Sequence, residues 1–212
     1  LLSLSLQDIN ERLAELFQQI HEIINEYHEF LKLIDNAIEN IQNDLQNITQ
    51  RHRELNDAIQ AEYFEKDEQG NFKSIAIQDT IAAFERRTGQ KIQEDISPEE
   101  LIQYLNVQRD FEADHVVPFL EEYQERLYEK RGIIQYEKDS LEDELDAIDH
   151  AIQAVDDNPN LTEEQRHQKK AEILEQASNI ALDAKIQAED MKADVNDLLA
   201  NIRRNNNDVQ HR

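Results

Sequence analysis

The chain has 212 residues with 47 acidic against 22 basic side chains, a formal net charge of -25, and neither cysteine nor tryptophan. Without cysteine there is no disulfide framework, no thiolate metal site and no thiol nucleophile, and the negative field opposes unaided binding to nucleic acid or to an anionic membrane. Three glycines and three prolines, against average usages of about 7% and 5%, leave little turn material for a sheet protein.

With 39% apolar and 33% charged residues, the composition supplies a thin apolar stripe, not the apolar share of a compact globule. No uninterrupted apolar run approaches the roughly 20 residues that a membrane-spanning helix needs, so direct membrane insertion by this segment is not expected. Leu1 to Leu6 lack a basic flank and a small-residue cleavage site and are not read as a signal peptide. The missing initiator methionine points to a trimmed or processed chain.

From Ser5, with Asp8 placed for an N-terminal cap, apolar residues recur at Ile9, Leu13, Leu16, Ile20, Ile24, Tyr27, Leu31, Ile34, Ile38, Ile41, Leu45, Ile48, Leu55 and Ile59. The steps alternate between three and four, apart from a stutter at Leu16, Ile20 and Ile24. The pattern predicts a long coiled-coil helix within residues 1–66, with His52 at a seam position between Ile48 and Leu55.

Residues 67–96 are the one composition shift. Asp67 to Asn71 reads as a turn, 74–87 as a short amphipathic helix with Ile77, Ile81 and Phe84 on one side, and Gly89 as a helix stop. This insert is expected to be a connector or a small recognition tip, in which case Ile77, Ile81 and Phe84 are the candidate interaction residues. The stretch from Glu65 to Phe72 is similar to the start of a calcium loop, but its twelfth position is Ala76 in place of a bidentate glutamate, which favours an ordinary acidic turn.

A second long segment, 97–157, opens on Ser97-Pro98-Glu99-Glu100, with a capping serine, proline at the first helical position and glutamate to close a capping box. Its seam runs through Leu101, Leu105 and Phe111, then Leu120, Tyr123, Leu127, Ile134, Leu141, Leu145, Ile148, Ile152 and Val155, interrupted by Lys130 and Glu137. Pro118 lies inside this pattern, and a kink or break is expected just before it. After the turn at Asp156 to Asn160, Thr162 and Gln165 form another capping box. A third helix over 158–204 then carries Leu174, Ala177, Ala181, Ala184, Ala188, Met191, Val195, Leu198 and Ile202 as a strict heptad with small side chains at its centre. Residues 205–212 read as a frayed polar tail.

The fold expected is all-α: an elongated antiparallel three-helix coiled coil with a small helical insert between helices 1 and 2. If the first two helices run antiparallel with Ile9 near Val155, His52 falls level with Glu112 and His115, a combination able to hold a metal or to respond to pH. The bland counterpart is a polar seam residue that specifies register. Glu112/His115 and Glu164/His167 both show the Glu-x-x-His spacing of di-metal bundles, but Glu164 sits in a polar first turn where helix-dipole complementarity accounts for it. No P-loop, dinucleotide fingerprint, nucleophile elbow or zinc-protease motif occurs. The expectation is therefore a non-enzymatic structural or protein-interaction module without cofactor. Its partners would be proteins, for which a basic surface suits the charge, or further copies of the chain, and nucleic acid is not expected.

In layout, the long heptad helices, the absence of cysteine, the acidity and the small insert between coiled-coil strands look like the soluble coiled-coil parts of bacterial secreted effectors and of type III secretion tip or translocator proteins. That resemblance implies a secreted interaction module. An intracellular tether and, further off, a metal-binding bundle are the competing readings.

Overall fold

A computed structural model describes residues 3–60, 67–71, 78, 81–82, 85–86, 89, 91–93 and 95–210. The protein is an all-α bundle built on three long helices, with no strand among the described residues. Helix α1 spans Leu6–Gln60. Helix α2, Pro98–Phe111, runs into a π-helical turn, Glu112–Val116, and on into α3, Val117–Asp156. Helix α4 spans Glu163–Gln210, so its backbone stays helical past residue 204, where a frayed tail was expected.

Helices α1, α2 and α4 begin where their capping residues direct. The Asp8 amide donates to Ser5 Oγ at 3.1 Å and the Glu100 amide to Ser97 Oγ at 3.2 Å. At α4 the box is reciprocal: the Gln165 amide donates to Thr162 Oγ1 at 3.1 Å, and the Thr162 amide to Gln165 Oε1 at 3.0 Å. Such caps satisfy amides that the first helical turn leaves without intrahelical partners.

The chain divides into two compact units, Leu1–Ile38 with Glu125–Asn206, and Glu39–Gln124 with Asn207–Arg212. In the first, α1, α3 and α4 each bury one stripe. On α1 the stripe is more than one residue wide, with Ile23 and Phe30 buried beside Ile24 and Leu31, as a helix touching two neighbours requires. On α4 the heptad from Leu174 to Ile202 is buried at every position except Leu198, which is half-buried. Ile9, Leu13, Ile148, Val155, Leu174 and Ala177 share one cluster, and Arg131 of α3 reaches Asp35 of α1 at 2.6 Å. Rising numbers on α1 therefore meet falling numbers on α3, so the two are antiparallel. Lys170–Asp156 and Lys130–Asp194 contacts establish the same relation between α3 and α4.

In the second unit the break expected before Pro118 takes the form of a π turn, in which the Val117 amide donates to the Glu112 carbonyl. Proline has no amide to donate and its ring clashes with the carbonyl four residues back, and a widened turn accommodates both demands while the helix continues. The extra residue also rotates the faces, which corrects the seam expected from the sequence: Phe111 is 37% exposed and Val116 is buried in its stead. A second core here joins Ile81 to Leu101 and Leu105. Within the insert, Gln78, Ile81, Ala82, Glu85 and Arg86 are helical, and Gly89 has φ of 68°, where a side chain would be strained.

Candidate functional site

The π turn places a charged cluster on the second unit. His52 and Arg51 come from α1 and Glu112 from the first residue of the π turn. His52 Nε2 lies 2.9 Å from Glu112 Oε2, and Arg51 Nη1 lies 3.4 Å from Glu112 Oε1. The Glu112 and His52 side chains are 15% and 19% exposed, so water screens the pair only partly. One residue pair further along, Arg109 Nη1 donates to Asn56 Oδ1 at 2.8 Å. The antiparallel level worked out from the seam thus brings His52 against Glu112.

His115, the third member of the sequence-derived set, is not brought in. It is exposed, and its ring packs against Phe111 with centroids 5.0 Å apart. Among the described residues no three histidine, aspartate or glutamate side chains converge as a metal site would require. Both oxygens of Glu112 are engaged separately, one by a guanidinium and one by an imidazole. That arrangement suits a polar lock holding α1 in register with the π turn, and the guanidinium opposes a cation at the same carboxylate. Arg51 Nε is buried without a hydrogen-bond partner among the described residues. Of the second Glu-x-x-His pair, Glu164 is exposed and His167 donates from Nε2 to the Leu4 carbonyl at 2.6 Å.

The acidic turn at Asp67 is closed by its own chain. Asp67 Oδ1 accepts from the amides of Gln69 and Asn71, both at 2.9 Å, and Gly70 takes φ of 83°. An Asx-type turn of this kind uses the carboxylate internally. Of the candidate interaction residues, Ile81 is 7% exposed and packs inside the second core, presenting little to an outside surface. Ile77 and Phe84 lie outside the described residues.

Two features of the first unit went unread in the sequence. Lys170 is 4% exposed, with Nζ 2.6 Å from Asp156 Oδ1 and donating to Asn10 Oδ1 at 2.9 Å. A signal was available, because Lys170 sits four residues before Leu174, on the same stripe. The other feature is apolar surface. On α4, Leu182 and Ile186, one turn apart, are 59% and 51% exposed, and on α3 Ile133 and Tyr136 are 43% and 70% exposed. Within one turn along the helix, Leu182 and Ile186 are neighboured by exposed Asp183, Glu189 and Asp190, against one cation, Lys185.

No helix among the described residues is long and apolar enough to cross a membrane. Comparison of the chain with protein-family models, with curated proteins and with solved structures gave no match.

Proposed function

We propose that the protein is a non-enzymatic coiled-coil interaction module that presents a helical flank to a protein partner. The observation that carries this reading is the Leu182–Ile186 pair. The opposite face of the same helix is consumed by the bundle through Ala181, Ala184 and Ala188, so these two large side chains are left more than half exposed. Paired apolar side chains at helical spacing, rimmed by charge, match the way helices dock into grooves. Three carboxylates and one ammonium on the rim favour a partner that surrounds an apolar contact with lysine and arginine, since complementary charge steers the encounter and discourages the wrong partner.

The test is site-specific photo-crosslinking in cells that express the protein, with a benzophenone side chain at Leu182 or Ile186 and controls at exposed Gln153 and Gln168. The reading expects one discrete protein adduct at Leu182 and Ile186 that is absent at the controls. Equal, diffuse labelling at all four positions contradicts it.

A further inference from the structure

Helices α3 and α4 belong to one unit, and Lys130 Nζ lies 3.7 Å from Asp194 Oδ2 across the space between them. Because the helices are antiparallel, each step up α3 from Lys130 meets a step down α4 from Asp194, which sets Ile133 level with Met191 and Tyr136 level with Ala188. Beside that ion pair the two helices form a groove of about 410 Å³, to which Ile133 of α3 and half-buried Leu198 of α4 both contribute. Ile133 and Tyr136 are both exposed, and three residues apart they are neighbours on the helix surface. Single exposed apolar side chains are ordinary, but these two adjoin one groove and continue inward to Leu198.

The α4 wall is acidic. Asp183, Asp190, Asp194 and Asp197 follow one another by seven, four and three residues, so they lie along one side of the helix, with Ile186 among them. All four are exposed. Lys130 engages Asp194, and no ion pair among the described residues engages the other three. On the α3 wall, Arg126 is followed three residues later by Glu129, which leaves the groove with an excess of carboxylates along α4.

We propose that this groove seats an amphipathic helix of a protein partner, with large apolar side chains against Ile133, Tyr136 and Leu198 and with lysines or arginines along Asp183, Asp190 and Asp197, so that α1, α3, α4 and the incoming helix form a local four-helix bundle. The inference rests on the reading of the protein as an interaction module and adds the shape of the partner and its seat. Other occupants meet obstacles in the same walls. An extended strand finds no free backbone edge, because both walls are helices that bond their own amides and carbonyls. A second copy of the chain brings a further net charge of -25 against the aspartate row, and an anionic surface is repelled by that row.

The experiment is fluorescence anisotropy of the full chain at 0.15 M salt with a labelled leucine–lysine peptide patterned as an amphipathic helix, compared with a peptide of the same composition in which the two residues alternate. Ile133→Ser with Tyr136→Ser removes the apolar wall, while Leu33→Ser with Val107→Ser removes two exposed apolar side chains elsewhere. Asp190→Asn with Asp197→Asn and Asp139→Asn with Asp146→Asn change equal charge at exposed positions along the groove and away from it. Saturable binding of the helix-patterned peptide that weakens about fivefold or more in each groove variant, and less than about twofold in each control, supports the proposal. Equal weakening in groove and control variants, equally tight binding of the alternating peptide, or no saturable binding overturns it. In cells, a benzophenone side chain at Ile133 or Tyr136 should give the same discrete adduct as at Leu182 and Ile186. An adduct at Leu182 and Ile186 alone overturns this seat and leaves the interaction-module reading standing, absence at all four positions overturns both, and a crosslinked dimer of the chain gives the groove to a second copy and overturns the proposal.

Discussion

Asp156→Ala isolates the one charge that is buried among the described residues of the first unit. Lys170 is 4% exposed overall, and its ammonium is held by Asp156 at 2.6 Å and by Asn10 at 2.9 Å. Removing the partner of a fully buried charge costs about 3–5 kcal/mol, and an exposed pair contributes about 0.2–1 kcal/mol. This pair is one-sided, since the Asp156 side chain is 48% exposed and water reaches its carboxylate. Asp156 also ends α3, where a negative charge opposes the helix dipole by about 0.3–1 kcal/mol, so its removal returns part of the loss. The net expectation is a loss of about 1.5 kcal/mol for Asp156→Ala. Lys170→Met keeps the stem's apolar contacts and removes the buried charge altogether, and it should change stability by less than about 1 kcal/mol in either direction. Urea unfolding of both single variants and the double variant gives the coupling directly. A coupling near zero, or a Lys170→Met loss larger than that of Asp156→Ala, would refute the reasoning that the lysine is held in place mainly by this carboxylate.

Other outcomes follow from the same physics. Self-repulsion from the net charge of -25 should raise the melting temperature as sodium chloride increases from about 0.05 to 0.5 M, and a steady fall would contradict it. Tyr27 ionises at 10.0 when unfolded and at about 12 when folded; because the folded state holds the proton longer, stability is intact below pH 10 and falls between pH 10 and 12. One pKa unit is worth about 1.4 kcal/mol, and solvent screening roughly halves the total, so the loss is about 1–2 kcal/mol. Absorbance at 295 nm with Tyr27→Phe as reference would check the titration, and an unchanged alkaline limb in the variant would count against it. Zinc and a chelator should give superimposable melting curves, since Arg51 and His52 already engage both Glu112 oxygens; a zinc-dependent rise abolished by His52→Ala would reverse that conclusion.

The elements most legible in the sequence were those that depend on local chemistry repeated at a fixed period. Ser5, Ser97 and Thr162 announce helix starts because each offers an oxygen to an amide three residues on. The Leu174 to Ile202 heptad is buried as spaced, and equal rise on two antiparallel helices was enough to set His52 against Glu112. What the period could not convey was a change in the period itself. Pro118 signals that a helix cannot continue regularly, but it does not say whether the chain kinks or widens by a residue, and the widening at Glu112–Val116 moved Phe111 out and Val116 in. Lys170 was missed for another reason. A charged residue on a seam is read as an interruption, and only the positions of Asp156 and Asn10, from two other helices, turn it into a buried contact.

A chain without native cysteine permits the most direct test of the central claim, that one heptad stripe of α4 is sealed inside a three-helix bundle while its other side is open. Single cysteines at Ala181, Ala184 and Ala188, which are buried, and at Leu182, Lys185 and Glu189, which are exposed, can each be timed for maleimide labelling. The bundle predicts labelling slower by about 100-fold or more at the first three positions, because reaction there waits for opening of the helices. Rates that agree within about threefold at all six positions would mean that the stripe is not enclosed.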